Sequence, residues 1–293
     1  MKRRDALVGL GTLALGCSRS RPESTGASLA RATTGTSGKR MPVVFMAHGA
    51  PPLFDDAGWL GELGRWGASM PRPDAILVLS AHWDATPAAI GATEARPLVY
   101  DFYGFPERYY RFAYPSPGAP VLAARVRELL DARGLKHVDR PDRGLDHGVY
   151  CPLAGMVPDA SIPVLQVSLP GLEPRALVGF GRALAPLADE GVLVAGSGFL
   201  THNLRTIGQP VATWAREFDA WAAEALAKRD LDALADFSSR APAAAIAHPT
   251  HEHYAPVLVA AGAAAEAGRS DVTFPIEGFW NGMSFTKRSV AFG

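Results

Sequence analysis

Cysteine is nearly absent from this 293-residue chain, which has only Cys17 and Cys151. Two cysteines exclude a disulfide-stapled scaffold and a cysteine-built zinc module. Stability must come from a hydrophobic core, and 48% hydrophobic residues supply one. Net charge is missing as well: Lys+Arg and Asp+Glu number 29 each. That balance offers no footprint for nucleic acid or an anionic membrane and favours a small-molecule partner. Short catalytic signatures are also lacking. Ser197 lies in GSGF and not in a GxSxG elbow, Cys151 has no motif partner, and no glycine-rich phosphate loop occurs.

The apolar stretch 6–16 is too short to span a bilayer and follows Lys2-Arg3-Arg4, so residues 1–17 read as an export signal. Arg3-Arg4 resembles a twin-arginine signal, and Ala14-Leu15-Gly16-Cys17 resembles a lipoprotein cleavage site with Cys17 as the acylated residue. Residues 18–40 carry Ser, Thr, Gly and Arg with few large apolar side chains, the composition of a flexible tether. The expectation is an exported chain, periplasmic or membrane-anchored through lipid on Cys17. Nothing in the sequence indicates an oligomeric state.

From residue 41 onward, short β-rich apolar runs alternate with longer helical patterns. This predicts an α/β domain over 41–293 with a mainly parallel central sheet flanked by helices. Strands are expected at 43–47, 75–80, 162–168 and 192–195, and helices from Pro120 to before Gly134, at 176–187 and at 211–227. The tail, 272–277 and 284–292 around Asn281-Gly282, predicts antiparallel strands closing one edge. The long connection 84–117 carries Phe102, Tyr103, Phe105, Tyr109 and Tyr110, which either face a substrate or pack the loop.

Five of the eight histidines sit where apolar runs stop: His48, His82, His147, His202 and His253. No two of these five share metal-motif spacing, so a metal site requires several strand ends to converge in space. In an open α/β sheet such ends share one crevice. Gly49, Gly196 and Gly198 permit the close approach that a crevice needs. His253 lies near the helix start marked by Pro256, where the positive dipole end favours a neutral ring. Glu252 beside it is a competing ligand. Asp146 could orient the His147 ring or cap a turn. His137 reads as solvated, and His248 and His251 as outer or rim residues. Three imidazoles with open positions suit Zn²⁺ or non-haem Fe²⁺ alike.

Taken in order, AHGAPP, LSAHW, DFYGFP, YPSPGAP, GLDHGVY, DASIPVLQVSL, GSGFLTHNL, HPTHEHYAPVLVAAGA and the closing SVAFG resemble the DOPA 4,5-dioxygenase-like group of class III extradiol ring-cleavage dioxygenases. The resemblance runs from about residue 41 to the end. It implies a divalent metal held by His48, His82 and His253, with His202 as catalytic acid/base and His147 near the substrate. It also implies a catecholic substrate and O₂. His251 departs from the pattern of bacterial relatives, which tend to have Pro there. Two other readings use the same residues: a zinc hydrolase with Glu252 or Asp146 as base, and a metal-binding relative without turnover.

Overall fold

Short runs of aliphatic residues, buried from end to end, set the frame. The computed structural model describes residues 38–293, so the expected export signal and nearly all of the tether lie outside the described residues. Eight strands are present among them: β1 (Val43–Ala47), β2 (Ala75–Asp84), β3 (Ala88–Ile90), β4 (His137–Asp139), β5 (Val164–Leu169), β6 (Val192–Gly198), β7 (Val272–Ile276) and β8 (Ser289–Phe292). They form one sheet in the order β4-β3-β5-β2-β6-β1-β8-β7. The β1–β6, β2–β6 and β2–β5 pairs are parallel. At the C-terminal edge β8 runs antiparallel to both β1 and β7, as expected. At the other edge β3 pairs antiparallel with β5 and parallel with β4, a reversal that the sequence pattern did not disclose.

Every residue of β1, β5 and β6 is buried, the mark of strands covered on both faces. Side chains alternate between two apolar clusters: Val43 and Phe45 enter one, Val44 and Met46 the other. The helices are α1 (Ala57–Ser69), α2 (Pro120–Ala132), α3 (His147–Met156), α4 (Pro174–Leu184), α5 (Thr213–Ala227), three short turns α6 (Leu231–Ala235), α7 (Phe237–Arg240) and α8 (Ala244–Ala247), and α9 (Ala255–Glu266). Residues of α2, α4, α5 and α9 build the first cluster, and those of α1 and α3 the second.

Several expected boundaries move. β2 continues four residues past Ser80, to Asp84, and β6 three past Ala195, to Gly198. Thus His82 lies within a strand and not beyond one. The tail strand begins at Ser289, because a 3₁₀ turn at Trp280–Gly282 intervenes, with Asn281 at φ 47°. β3 interrupts the long connection, and α1 and α3 were not expected. The four glycines of α1 weaken its helical signal. α3 is apolar nearly all round and contains Pro152, so it shows neither a clean 3.6-residue period nor a breaker-free run.

Candidate metal centre

The parallel strands β2, β6 and β1 lie side by side, so their carboxyl ends open on one edge of the sheet. His48 directly follows β1, His82 occupies the distal part of β2, and His202 comes four residues after β6. His147 is the first residue of α3, and His253 stands two residues before α9. The approach of α9 depends on bare backbone in β6: a Cβ on Gly196 would meet the Pro256 carbonyl oxygen at 2.3 Å, and one on Gly198 the His253 carbonyl oxygen at 2.2 Å. The Phe199 N–H donates to that same His253 oxygen at 2.9 Å.

All five histidines meet. Ring centroids lie 4.9 Å apart for His48 and His82, 5.3 Å for His48 and His253, and 4.9 Å for His82 and His253. One ring nitrogen of each of these three falls within 4.8 Å of the others. His147 packs 3.9 Å from His82, and His202 stacks on His253 at 3.4 Å with the planes 7° apart. Burial and the neighbouring imidazoles hold His48 and His253 well below the usual histidine range. Burial chiefly lowers His82 to about 3 and His202 to about 4. The rings are neutral, as metal ligation requires.

The hydrogen bonds around them fix which nitrogen faces inward. Pro152 has no N–H to offer the Gly148 carbonyl four residues earlier in α3. The Ser197 hydroxyl donates to that carbonyl instead. Its only proton is thereby committed, so Ser197 accepts from His48 Nδ1–H at 3.1 Å. His82 Nδ1 faces Asp101 Oδ2 at 3.4 Å, and His253 Nδ1 faces Glu252 Oε1 at 3.0 Å. Glu252 can only accept, so His253 Nδ1 carries the proton, and the carboxylate facing His82 favours the same tautomer there. The Nε2 lone pairs of all three rings are left over.

His48 Nε2 and His82 Nε2 stand 3.2 Å apart. Two nitrogen ligands at about 2.0–2.1 Å from an ion would be about 3.3 Å apart across a tetrahedral angle and about 2.9 Å across an octahedral one. The separation therefore fits a shared divalent ion and is compatible with either geometry.

One functional residue escaped the sequence reading. Asp101 Oδ1 accepts from His147 Nδ1 at 2.7 Å and from the His147 backbone N–H at 3.3 Å, while its other oxygen serves His82. Its signal was present as the first residue of DFYGFP. By sequence Asp146 suits equally a partner for the His147 ring or a turn cap, and the structure shows neither side-chain role. Asp146 is fully buried, makes no side-chain cap on α3, and accepts from Arg143 and Gln166. Glu252 is likewise engaged, by His253 and by Thr250 at 2.9 Å. Each carboxylate offered as a hydrolytic base thus already accepts two hydrogen bonds.

His248 is buried and donates Nε2–H to the Leu200 carbonyl at 2.8 Å, while His251 is exposed at the rim. His137 is half-buried in β4 beside Asp131, less solvated than expected. Among the loop aromatics, Phe102 lies 5.8 Å from the His147 ring, Phe105, Tyr109 and Tyr110 pack with their neighbours, and Tyr103 is 89% exposed.

A cluster of neutral imidazoles at the carboxyl edge of an α/β sheet defines a metal-dependent enzyme of this fold class. Residues 42–281 match the family described as the catalytic LigB subunit of aromatic ring-opening dioxygenase, and the chain belongs to that family. It is an extradiol ring-cleaving dioxygenase, and its family uses a metal. It is 39% identical over 259 residues to the 4,5-DOPA dioxygenase extradiol of Beta vulgaris, covering 85% of this chain and 95% of that one. It is 36% identical over 266 residues to the protein of the same name from Escherichia coli K12, covering 88% and 96%. The crystal structure of an uncharacterized protein from Escherichia coli K12 superposes with a TM-score of 0.72 at 32% identity, covering 87% of this chain and all of the other.

Proposed function

We propose that the substrate is a catechol of the DOPA class, cleaved at a single divalent ion held by Nε2 of His48, His82 and His253. The observation that carries this reading is that the Nδ1 atoms of His48, His82 and His253 face the acceptors Ser197, Asp101 and Glu252, while the three rings cluster with a nitrogen of each within 4.8 Å of the others. An ion bound there, Zn²⁺ or non-haem Fe²⁺, would anchor both catechol oxygens as a Lewis acid, and iron would in addition bring redox access to O₂. In the net reaction both oxygen atoms enter the ring, a carbon–carbon bond beside the two hydroxyls breaks, and a ring-opened semialdehyde results.

The protein's own residues handle protons and orientation. Burial lowers the His202 pKa to about 4, which leaves the ring neutral with a lone pair available. It can accept a proton from a catechol hydroxyl and return it later. Its stacking on His253 sets the ring beside the proposed ligand. His147, with Nδ1–H given to Asp101, presents only Nε2 and would accept a hydrogen bond from a substrate hydroxyl. Phe102 beside it supports an aromatic ring at an edge.

The test uses metal-free protein reconstituted anaerobically with Fe²⁺ or Zn²⁺ and offered a panel of catechols that includes DOPA, with oxygen uptake and visible absorbance recorded together. Stoichiometric oxygen consumption and a yellow product with Fe²⁺ alone is the expected result. No uptake with any catechol, despite metal binding that is lost in His48→Ala, would overturn the reading. Export rests on Arg3-Arg4 and the 6–16 stretch. Arg3-Arg4→Lys-Lys is expected to keep the protein out of the envelope, and an unchanged membrane fraction would count against the twin-arginine route.

A further inference from the structure

We infer that Asp101 is a positioning residue that ties a metal-ligating ring to a substrate-binding ring through one carboxylate. The inference rests on the metal site proposed above and extends it to a carboxylate outside the three ligands proposed there. Asp101 Oδ2 faces His82 Nδ1 at 3.4 Å, and Oδ1 receives both His147 Nδ1–H at 2.7 Å and the His147 backbone N–H at 3.3 Å. One side chain therefore sets the tautomer of His147, favours the matching one at the facing His82, and fixes the first residue of α3. The segment that carries it is itself tied down: the Val99 N–H donates to the Leu145 carbonyl at 2.8 Å, beside the start of α3.

Two consequences follow from sharing. His82 and His147 lie with centroids 3.9 Å apart, and without a common acceptor either ring could turn its Nε2 away from the crevice. An ion on His82 Nε2 draws electron density from that ring and strengthens its Nδ1–H as a donor to Asp101. A catechol hydroxyl on His147 Nε2 does the same from the other side. Both occupants act through one carboxylate, so each alters the hold on the other, and that coupling must be reciprocal. Asp146, adjacent in sequence, is turned instead toward Arg143 and Gln166, to which it is bonded through Oδ2.

Two readouts test this without turnover. Two-bond ¹H–¹⁵N spectra of the zinc-loaded wild type should show His82 and His147 both as Nδ1–H tautomers. Nε2–H at either ring would overturn the assignment even if no variant folds. In Asp101→Asn both signals should change, while His48 and His253, held by Ser197 and Glu252, keep theirs. Anaerobic Co²⁺ titration of the same variant should give a Kd raised about 10–100-fold. An unchanged pair of rings, a change at only one of them, or Co²⁺ affinity within about twofold of wild type would refute the shared tie. Failure of the wild type to bind Co²⁺ at all would instead overturn the metal site on which the inference stands.

Discussion

Gly198→Ala is expected to damage the metal centre without touching any ligand side chain. The added Cβ would lie 2.2 Å from the His253 carbonyl oxygen, where real Cβ contacts essentially never fall below 3.0 Å. Backbone must therefore yield by at least 0.8 Å, the difference between those two distances. β6 is paired on both sides, by β1 and β2, so the segment ahead of α9 is what gives way. That shift stretches the 2.9 Å bond from the Phe199 N–H and carries His253 with it. Metal–ligand distances tolerate about ±0.2 Å, and a misplacement near 1 Å costs about 100-fold in rate. Overpacking adds about 1–3 kcal/mol of destabilisation. The assay is paired: Zn²⁺ or Co²⁺ affinity by titration and kcat/KM by oxygen uptake, with urea unfolding as a monitor. Gly179→Ala is the control, because that exposed helical position has nothing within 4 Å of an added Cβ and alanine favours the helix by about 1 kcal/mol. Metal affinity and kcat/KM in Gly198→Ala within twofold of wild type would refute the argument that bare β6 backbone places His253.

Ser197→Ala strips His48 Nδ1–H of its acceptor and Gly148 of its donor; metal affinity is expected to fall about 10–100-fold in a zinc competition titration, with about 1–3 kcal/mol lost per unsatisfied group. His202→Ala should keep the metal and lose about 10²–10⁴ in kcat, so full turnover in steady-state assays would remove its proton-transfer role. Asp219→Ala breaks the paired bonds to Arg288 at 2.9 and 2.7 Å and the Thr286 bond at 2.7 Å. With side chains 11% and 9% exposed, the expected loss is about 2–4 kcal/mol, at or below the range for a fully buried pair. Calorimetry should show a lower Tm with metal affinity intact.

The histidine-bearing corners were legible because each follows an apolar run bounded by Gly, Ser or Asn, and strand ends in a parallel sheet share an edge. The glycines at 196 and 198 were legible for the same reason, since a chain that must pass close to another dispenses with Cβ. Asp101 was hidden by its setting: it lies in a long irregular connection, and spacing alone does not show that a loop carboxylate reaches two distant imidazoles. Asp146 looked better placed because it adjoins His147, but adjacency along the chain directs successive side chains apart. His82 read as a post-strand residue because the apolar run stops at Leu79, whereas β2 continues past an irregularity in its pairing with β5 and pairs again at Asp84. The helix α3 was missed because a segment buried all round has no wet face to reveal its period.

Pro152 makes three distant positions a single hydrogen-bonded unit. Its missing N–H in α3 reserves the Gly148 carbonyl for Ser197 on β6, and the Ser197 proton, once spent there, dictates which nitrogen of His48 is bare. Restoring the amide with Pro152→Ala would supply Gly148 with a helical donor and free the Ser197 hydroxyl to turn toward the imidazole. His48 could then hold its proton on the inward nitrogen. The missing amide of one imino acid in a buried helix thus reaches, through β6, to the protonation of a proposed metal ligand.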